Sequence, residues 1–420
     1  MGRSPLLVLL LAACGEPGIE GLAAGDAGSN PSCTASCSDS GADTGPGAVE
    51  DAGSDSDRAE PDAGPGDAGT DCPLGPGASI HVDPTGSDSN DGLSADSPLA
   101  TIQAGLALAR PGDNVVLAPG EYLEDVDSVR DGAADAPITV VGPADAVVRG
   151  SWEDDDDDDR VVEIGHDHHV LCGFTIDGLS GDPALEASYH DKLLYVMGAA
   201  LEDKPDPVVG LRVLFVTLRN AGGECVRLKY FTREAEIAHS TVGPCGIFDF
   251  TDGFSGDGKN GEGVYIGTAP EQLERNPTDT PDESNDNWIH DNAFDTRGNE
   301  CVDIKEGASG NLVESNTCTG QRDPESGGMD SRGSGNAFFD NEIFGCAGAG
   351  VRLGGDGPED GTNNEVRAND LHDNQNGGIK LEAWPQADIC ENAIEDNDGG
   401  AIVGSFAEDA ADLDPTAPCP

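Results

Sequence analysis

The chain has 420 residues, with 81 Asp and Glu against 22 Lys and Arg, for a formal net charge of −59. That balance excludes nucleic acid as a partner, because binding it needs a basic surface. It favours solubility and association with divalent cations.

The first element is a short apolar run, Leu6 to Ala13, behind the single base Arg3. It falls far below the ~20 residues that a membrane span needs. Leu11-Ala12-Ala13-Cys14 resembles the bacterial lipobox, so residues 1–13 are expected to be a cleaved signal and Cys14 the lipidated N-terminus. This implies an envelope or extracellular location, with the membrane reached only through that lipid. Residues 14–77 are mostly Gly, Ala, Ser, Asp and Pro, with almost no large apolar residue and one base, Arg58. Such a segment cannot bury enough surface to offset its ordering entropy, so it is expected to be a disordered acidic tether. Twelve Cys in an exported chain point to disulfides. Lipidation of Cys14 leaves eleven, so at least one is unpaired or joins another chain. Cys33 and Cys37 are placed to close a small loop in the tether.

Residues 78–420 are expected to form one domain, all-β, a right-handed parallel β-helix with a short N-terminal capping helix. Residues 78–123 open it. Ser79 to Asp83 reads as a strand, and Ser97-Pro98 as an N-cap and first turn of a helix carrying Ile102, Leu106 and Ala109 on one face. Pro111-Gly112 ends that helix, and Asn114 to Ala118 is a buried strand. This stretch resembles the N-terminal module of many extracellular β-helix proteins, including some pectate lyases. Its role would be to cover the open edge of the first coil.

Beyond it, strands of four to six residues alternate with Gly, Asn and Asp turns, and two repeats appear. Asn292, Asn316, Asn341, Asn369 and Asn392 are each followed two residues on by an apolar residue or Cys, at steps of 24, 25, 28 and 23. Parallel coils place such residues ~4.8 Å above one another, as a hydrogen-bonding ladder. The second repeat is a strand frame: Glu224-Cys225-Val226-Arg227-Leu228-Lys229, then Glu262 to Gly267, then Glu300 to Lys305. Alternation sends Val226, Leu228, Val264, Ile266, Val302 and Ile304 inward. The outward positions then read Arg227, Tyr265, Asp303, Asp330, Arg352, Lys380 in one column. The neighbouring column is Lys229, Gly267, Lys305, Arg332, Gly354, Glu382. Half of these positions are basic in a very acidic chain, which suits a groove for an acidic polymer.

The segment Asn292 to Lys305, followed by Gly310-Asn311 and one coil later by Arg332-Gly333-Ser334-Gly335-Asn336, resembles the signature of polysaccharide lyase family 6. That family comprises parallel β-helices that act on alginate or dermatan. The resemblance implies removal of the C5 proton of a uronate, with Lys305 as base and Arg332 at the leaving oxygen. It implies Ca²⁺ on Glu300 with Asn260 or Glu262; Asp303, which stands where the family has a small polar residue, is read as a replacement ligand. Arg352, Lys380, Arg227, Lys229 and Tyr265 would hold the acidic polysaccharide, and a monomer is expected. Two departures stand out. Gly298 occupies the position of a second acid in the family pattern. Asp303 beside Lys305 would raise the lysine's pKa, the wrong direction for a base.

Other signals are read as structural: Asp154 to Asp159 as a solvated loop, His166, His168 and His169 as a polar turn, and Asp249, Asp252 and Asp257 as a Gly-rich loop. Three functions remain open on sequence grounds: a uronan lyase, a non-catalytic carbohydrate-binding or structural surface module, and a uronan C5-epimerase.

Overall fold

In the computed structural model, residues 72–151, 159–254, 256 and 258–420 are described. The signal, Cys14, the tether as far as residue 71, the acidic run at 154–158 and Asp257 lie outside the described residues. Three long parallel sheets form the walls of a right-handed β-helix. Sheet I has eleven strands, from Ser79–Val82 to Ile389–Cys390; sheet II has ten, from Gly120–Tyr122 to Ala393–Glu395; sheet III has ten, from Val126–Asp127 to Ile402–Val403. Each coil visits them in the order I, II, III.

The sharp corner between sheets I and II explains the first repeat. Asp291, Ser315, Asp340, Ala368 and Glu391 take left-handed backbone, with φ between 51° and 58°, and each is followed by the ladder Asn. Asn292 Nδ2 donates to Asn316 Oδ1 (3.0 Å), Asn316 to Asn341 (3.0 Å), Asn341 to Asn369 (2.9 Å) and Asn369 to Asn392 (3.1 Å). A left-handed L-residue costs ~1–2 kcal/mol. The ladder over-determines the turn that needs it. A second ladder, Asn287 to Asn311 to Asn336, stands at the corner between sheets III and I. The Gly-Asn pairs of the family-like signature are therefore scaffold.

Strand alternation holds throughout sheet III: Val226, Leu228, Val264, Ile266, Val302 and Ile304 are fully buried in the core. Four disulfides reinforce the coils, Cys72–Cys172, Cys225–Cys245, Cys301–Cys318 and Cys390–Cys419. Cys346 is buried and unpaired.

Two boundaries differ from the sequence reading. The capping helix spans Ile102–Leu108, with Thr101 as its N-cap accepting from the Ala104 N–H. It cannot start at Pro98, because Leu99 is buried and bridged in parallel to Val82. Glu124 also takes the Ile102 and Gln103 N–H groups (2.8 and 3.0 Å). The last residues assigned to the tether are pinned to the domain, by the Cys72 disulfide and by Gly75 N–H on Asn114 Oδ1 (2.8 Å).

Candidate active site

The outward face of sheet III carries the site. Backbone register aligns Tyr195, Arg227, Tyr265, Asp303, Asp330, Arg352 and Lys380 in one column. Ile304 pairs with Ser331, so the next residues, Lys305 and Arg332, leave neighbouring rungs side by side. Both line a cavity of about 290 Å³ together with Glu262, Glu300, Asp303 and Tyr265. Arg227, Arg352 and Asn260 also line it.

Its floor is acidic. Glu262, Glu300 and Asp303 are all buried, and one carboxylate oxygen from each lies within 4.8 Å of the others. Glu300 Oε2 and Asp303 Oδ1 have no hydrogen-bond partner among the described residues, nor has Asp330 Oδ1 one rung on. Burial, then the charges of Glu224 and Asp303, push Glu262 up to about 7. Burial, Asp303 and Asp330 push Glu300 well above the carboxylate range. Such a cluster is strained until protons or a cation neutralise it. Three clustered carboxylates, two of them with an unpaired oxygen, are hard donors of the kind that fits Ca²⁺. Asn260 is exposed and stands at the rim, its N–H on Asp249 Oδ2 (2.8 Å).

Gly298 explains its own departure from the family-like pattern. A Cβ there would lie 2.6 Å from the Cys245 carbonyl oxygen and 2.8 Å from that of Gly261. No acid fits without a backbone shift.

The cations are less free than the sequence suggested. Lys305 Nζ sits 2.5 Å from Asp303 Oδ2 and 4.5 Å from the centre of the Tyr265 ring. Burial would lower its pKa, but Asp303 and the other negative groups outweigh burial and hold it above the ordinary range. The direction is the one that Asp303 beside Lys305 implies from sequence. Arg332 pairs with Glu306 (3.0 Å) and with Asp356. Arg352 pairs with Asp330 (3.1 Å). Lys380 does not line the cavity; its ammonium donates to the Glu325 carbonyl (2.7 Å). Lys229 lines a second, adjoining cavity instead.

The sequence reading missed Glu306, Ser326 and the Lys259–Asp323 pair (2.8 Å). Ser326 donates to Glu300 and to Asp330 (3.0 Å). These residues come from loops between coils, where no repeat marks them. The histidine segment has separate partners: His166 meets Ser128 Oγ (2.8 Å) and His169 the Arg130 carbonyl (3.0 Å).

A family model described as "right handed beta helix region" matches residues 260–409. No curated protein sequence matches the chain. Among solved structures it is similar to an alginate lyase from Paenibacillus sp. str. FPU-7, at 17% identity over 78% of this chain and 97% of that one, TM-score 0.57. It is also similar to pectate lyase Pel9A, at 12% identity over 78% of this chain and 79% of that one, TM-score 0.52. A third is a GH136 lacto-N-biosidase from Eubacterium ramulus, at 13% identity over 78% and 67%, TM-score 0.53. Two of these are named as lyases and one as a glycosidase, so the likeness is one of fold, the right-handed parallel β-helix.

Proposed function

We propose that the protein is a polysaccharide lyase that cleaves a uronic-acid polymer by β-elimination, held at the cell surface by a lipid on Cys14. One observation carries the reading: a buried trio of carboxylates, two of them (Glu300 and Asp303) with an unpaired oxygen, shares a cavity with Lys305 and Arg332 on adjacent rungs. The family 6-like spacing of Glu300, Lys305 and Arg332 supports it.

Ca²⁺ on Glu262, Glu300 and Asp303, with Asn260 at the rim, would neutralise the substrate carboxylate and so acidify the C5 proton. Lys305 Nζ takes that proton once Asp303 no longer holds the ammonium charged. The electron pair left on C5 forms the C4–C5 double bond as the C4–O4 bond breaks. Arg332 hydrogen-bonds the departing oxygen, which then takes a proton from water. Arg352 and Arg227 lie along the same column, where they meet neighbouring carboxylates.

A second reading, a non-catalytic carbohydrate-binding module, is favoured by the ion pairs that engage Lys305 and Arg332. Alginate, pectate and dermatan sulfate, each with and without Ca²⁺, separate the two by ultraviolet absorbance of unsaturated uronates. Product formed by the wild type and lost in Lys305→Ala supports the lyase. Binding without product supports the module, and proton exchange at C5 without cleavage identifies an epimerase.

A further inference from the structure

A second cavity, of about 660 Å³, adjoins the first and shares Arg227, Asn260 and Gln272 with it. Its charge is opposite. Arg160, Lys192, Arg227, Lys229 and Arg275 line it, against the two carboxylates of Asp191 and Glu224. In a chain of net charge −59 this is a local reversal of field.

Arg160 lies over the Tyr195 ring and Arg227 over the Tyr265 ring, each 3.6 Å from the ring centre, and Arg160 also pairs with Glu163 (2.6 Å). Glu224 is consumed by Lys192 (3.2 Å) and Arg227 (2.5 Å), and Asp191 by Lys192. Nothing is left for Lys229. It is buried, it lines the cavity, and no ion pair joins it to an acid among the described residues. Its counterpart two rungs on, Lys305, has Asp303 at 2.5 Å; at the equivalent position beside Lys229 stands Arg227. Burial, then Arg227, Arg160 and Lys192, push the Lys229 ammonium down to about 8, against the pull of Asp282. A buried ammonium among cations is costly unless something negative arrives. Arg275 at the rim is exposed and likewise without an ion pair.

We propose that this basic cavity is an anion subsite, binding a carboxylate or sulfate-ester group on a sugar chain whose next portion lies over the acidic cavity. The proposal rests on the reading that the groove binds a polysaccharide, but not on cleavage. A cation is repelled there, and a neutral sugar leaves Lys229 without a counter-charge. The groove thus takes a polyanion by its basic half while the acidic half is served by a cation.

The test is calorimetry on the whole protein in chelator, with three probes: alginate and pectate oligosaccharides, sulfated neutral-sugar oligosaccharides, and uncharged oligosaccharides. At least one anionic class binds the wild type, and Lys229→Gln weakens that binding about tenfold; which class binds identifies the group as carboxylate or sulfate. A second measurement needs no variant. Acylation of Lys229 at pH 8, followed by mass spectrometry, slows when the anionic oligosaccharide is bound. No binding by either anionic class overturns the subsite. So does binding that is unchanged in Lys229→Gln with no protection from acylation. Lys229-dependent binding without unsaturated product sinks the lyase reading and leaves the subsite standing; product formation without Lys229 dependence does the reverse.

Discussion

Two rungs of sheet III, two coils apart, share a frame and differ in chemistry. Glu224 and Glu300 both open the frame, both precede a disulfide-bonded Cys, and both are buried. Three residues on, one rung has Arg227 and the other Asp303. Around Glu224, burial pushes the carboxyl up, but Lys192 and Arg227 bring it down to about 2. Around Glu300, burial and the negative charges of Asp303 and Asp330 all push upward. The inward residues fix where each Glu sits; the outward neighbour decides whether it is a settled ion pair or part of an acidic cluster.

The largest effect should fall on catalysis. Lys305→Ala is expected to slow unsaturated product formation by ~10²–10⁴, the range for loss of a general base. Lys229→Gln, on the basic half, should raise KM and leave kcat near the wild-type value. Equal losses of kcat in both variants would dissolve the division between the two halves.

The next effect is on stability, and its sign differs between the two rungs. Glu224→Gln leaves the buried Arg227 without its acid and the half-buried Lys192 with Asp191 alone, and should cost about 3 kcal/mol at pH 7. The folded-state pKa of Glu224 lies below its ordinary value of 4.5. Its contribution is therefore present above about pH 4.5, and fades as pH falls toward 2. Glu300→Gln in chelator should not destabilise at pH 7, because burial, Asp303, Asp330 and Glu262 oppose its charge more strongly than Lys305 favours it. Denaturant titration of both variants decides the matter; a loss above about 1 kcal/mol in Glu300→Gln would remove the contrast.

Much of this was readable in the sequence, because periodicity reports register. The Asn steps and the inward Val, Leu and Ile positions located the coils, and the frame then placed Lys305 beside Arg332. What escaped was set by contacts between segments without a repeat. Pairing of Arg332 with Glu306 and Asp356 depends on how the loops after two different strands fold back. The basic cavity was seen as single bases, Arg227 and Lys229. Its other walls are Arg160 and Lys192 from earlier coils and Arg275 from the turn Pro270–Arg275. Gly298 read as a missing ligand, whereas backbone crowding is its cause.

Calcium itself should sharpen the comparison. At a concentration a hundredfold above its dissociation constant, a ligand bound only by the folded state adds about 2.7 kcal/mol. The wild type should show that gain over its chelated form, as a rise in Tm. Glu224→Gln, whose carboxylate belongs to the basic half, should keep the gain. Glu300→Gln and Asp303→Asn should lose most of it. A gain that survives in both of the latter variants would place the cation elsewhere.

The smallest effect concerns the rim of the acidic half. Asp356 is largely exposed and pairs with Arg332. An exposed partner of this kind contributes little, so Asp356→Asn should change stability by less than about 1 kcal/mol. Its effect on binding should have the opposite sign to that of Lys229→Gln. Removing Asp356 takes away a negative charge that a polyanion must approach, and leaves Arg332 with Glu306 as its one acid partner among the described residues. The oligosaccharide that binds the wild type should bind Asp356→Asn about twofold more tightly at low salt, and the gain should shrink as ionic strength rises. Weaker binding would mean that the Arg332–Asp356 pair itself holds the groove in its binding shape.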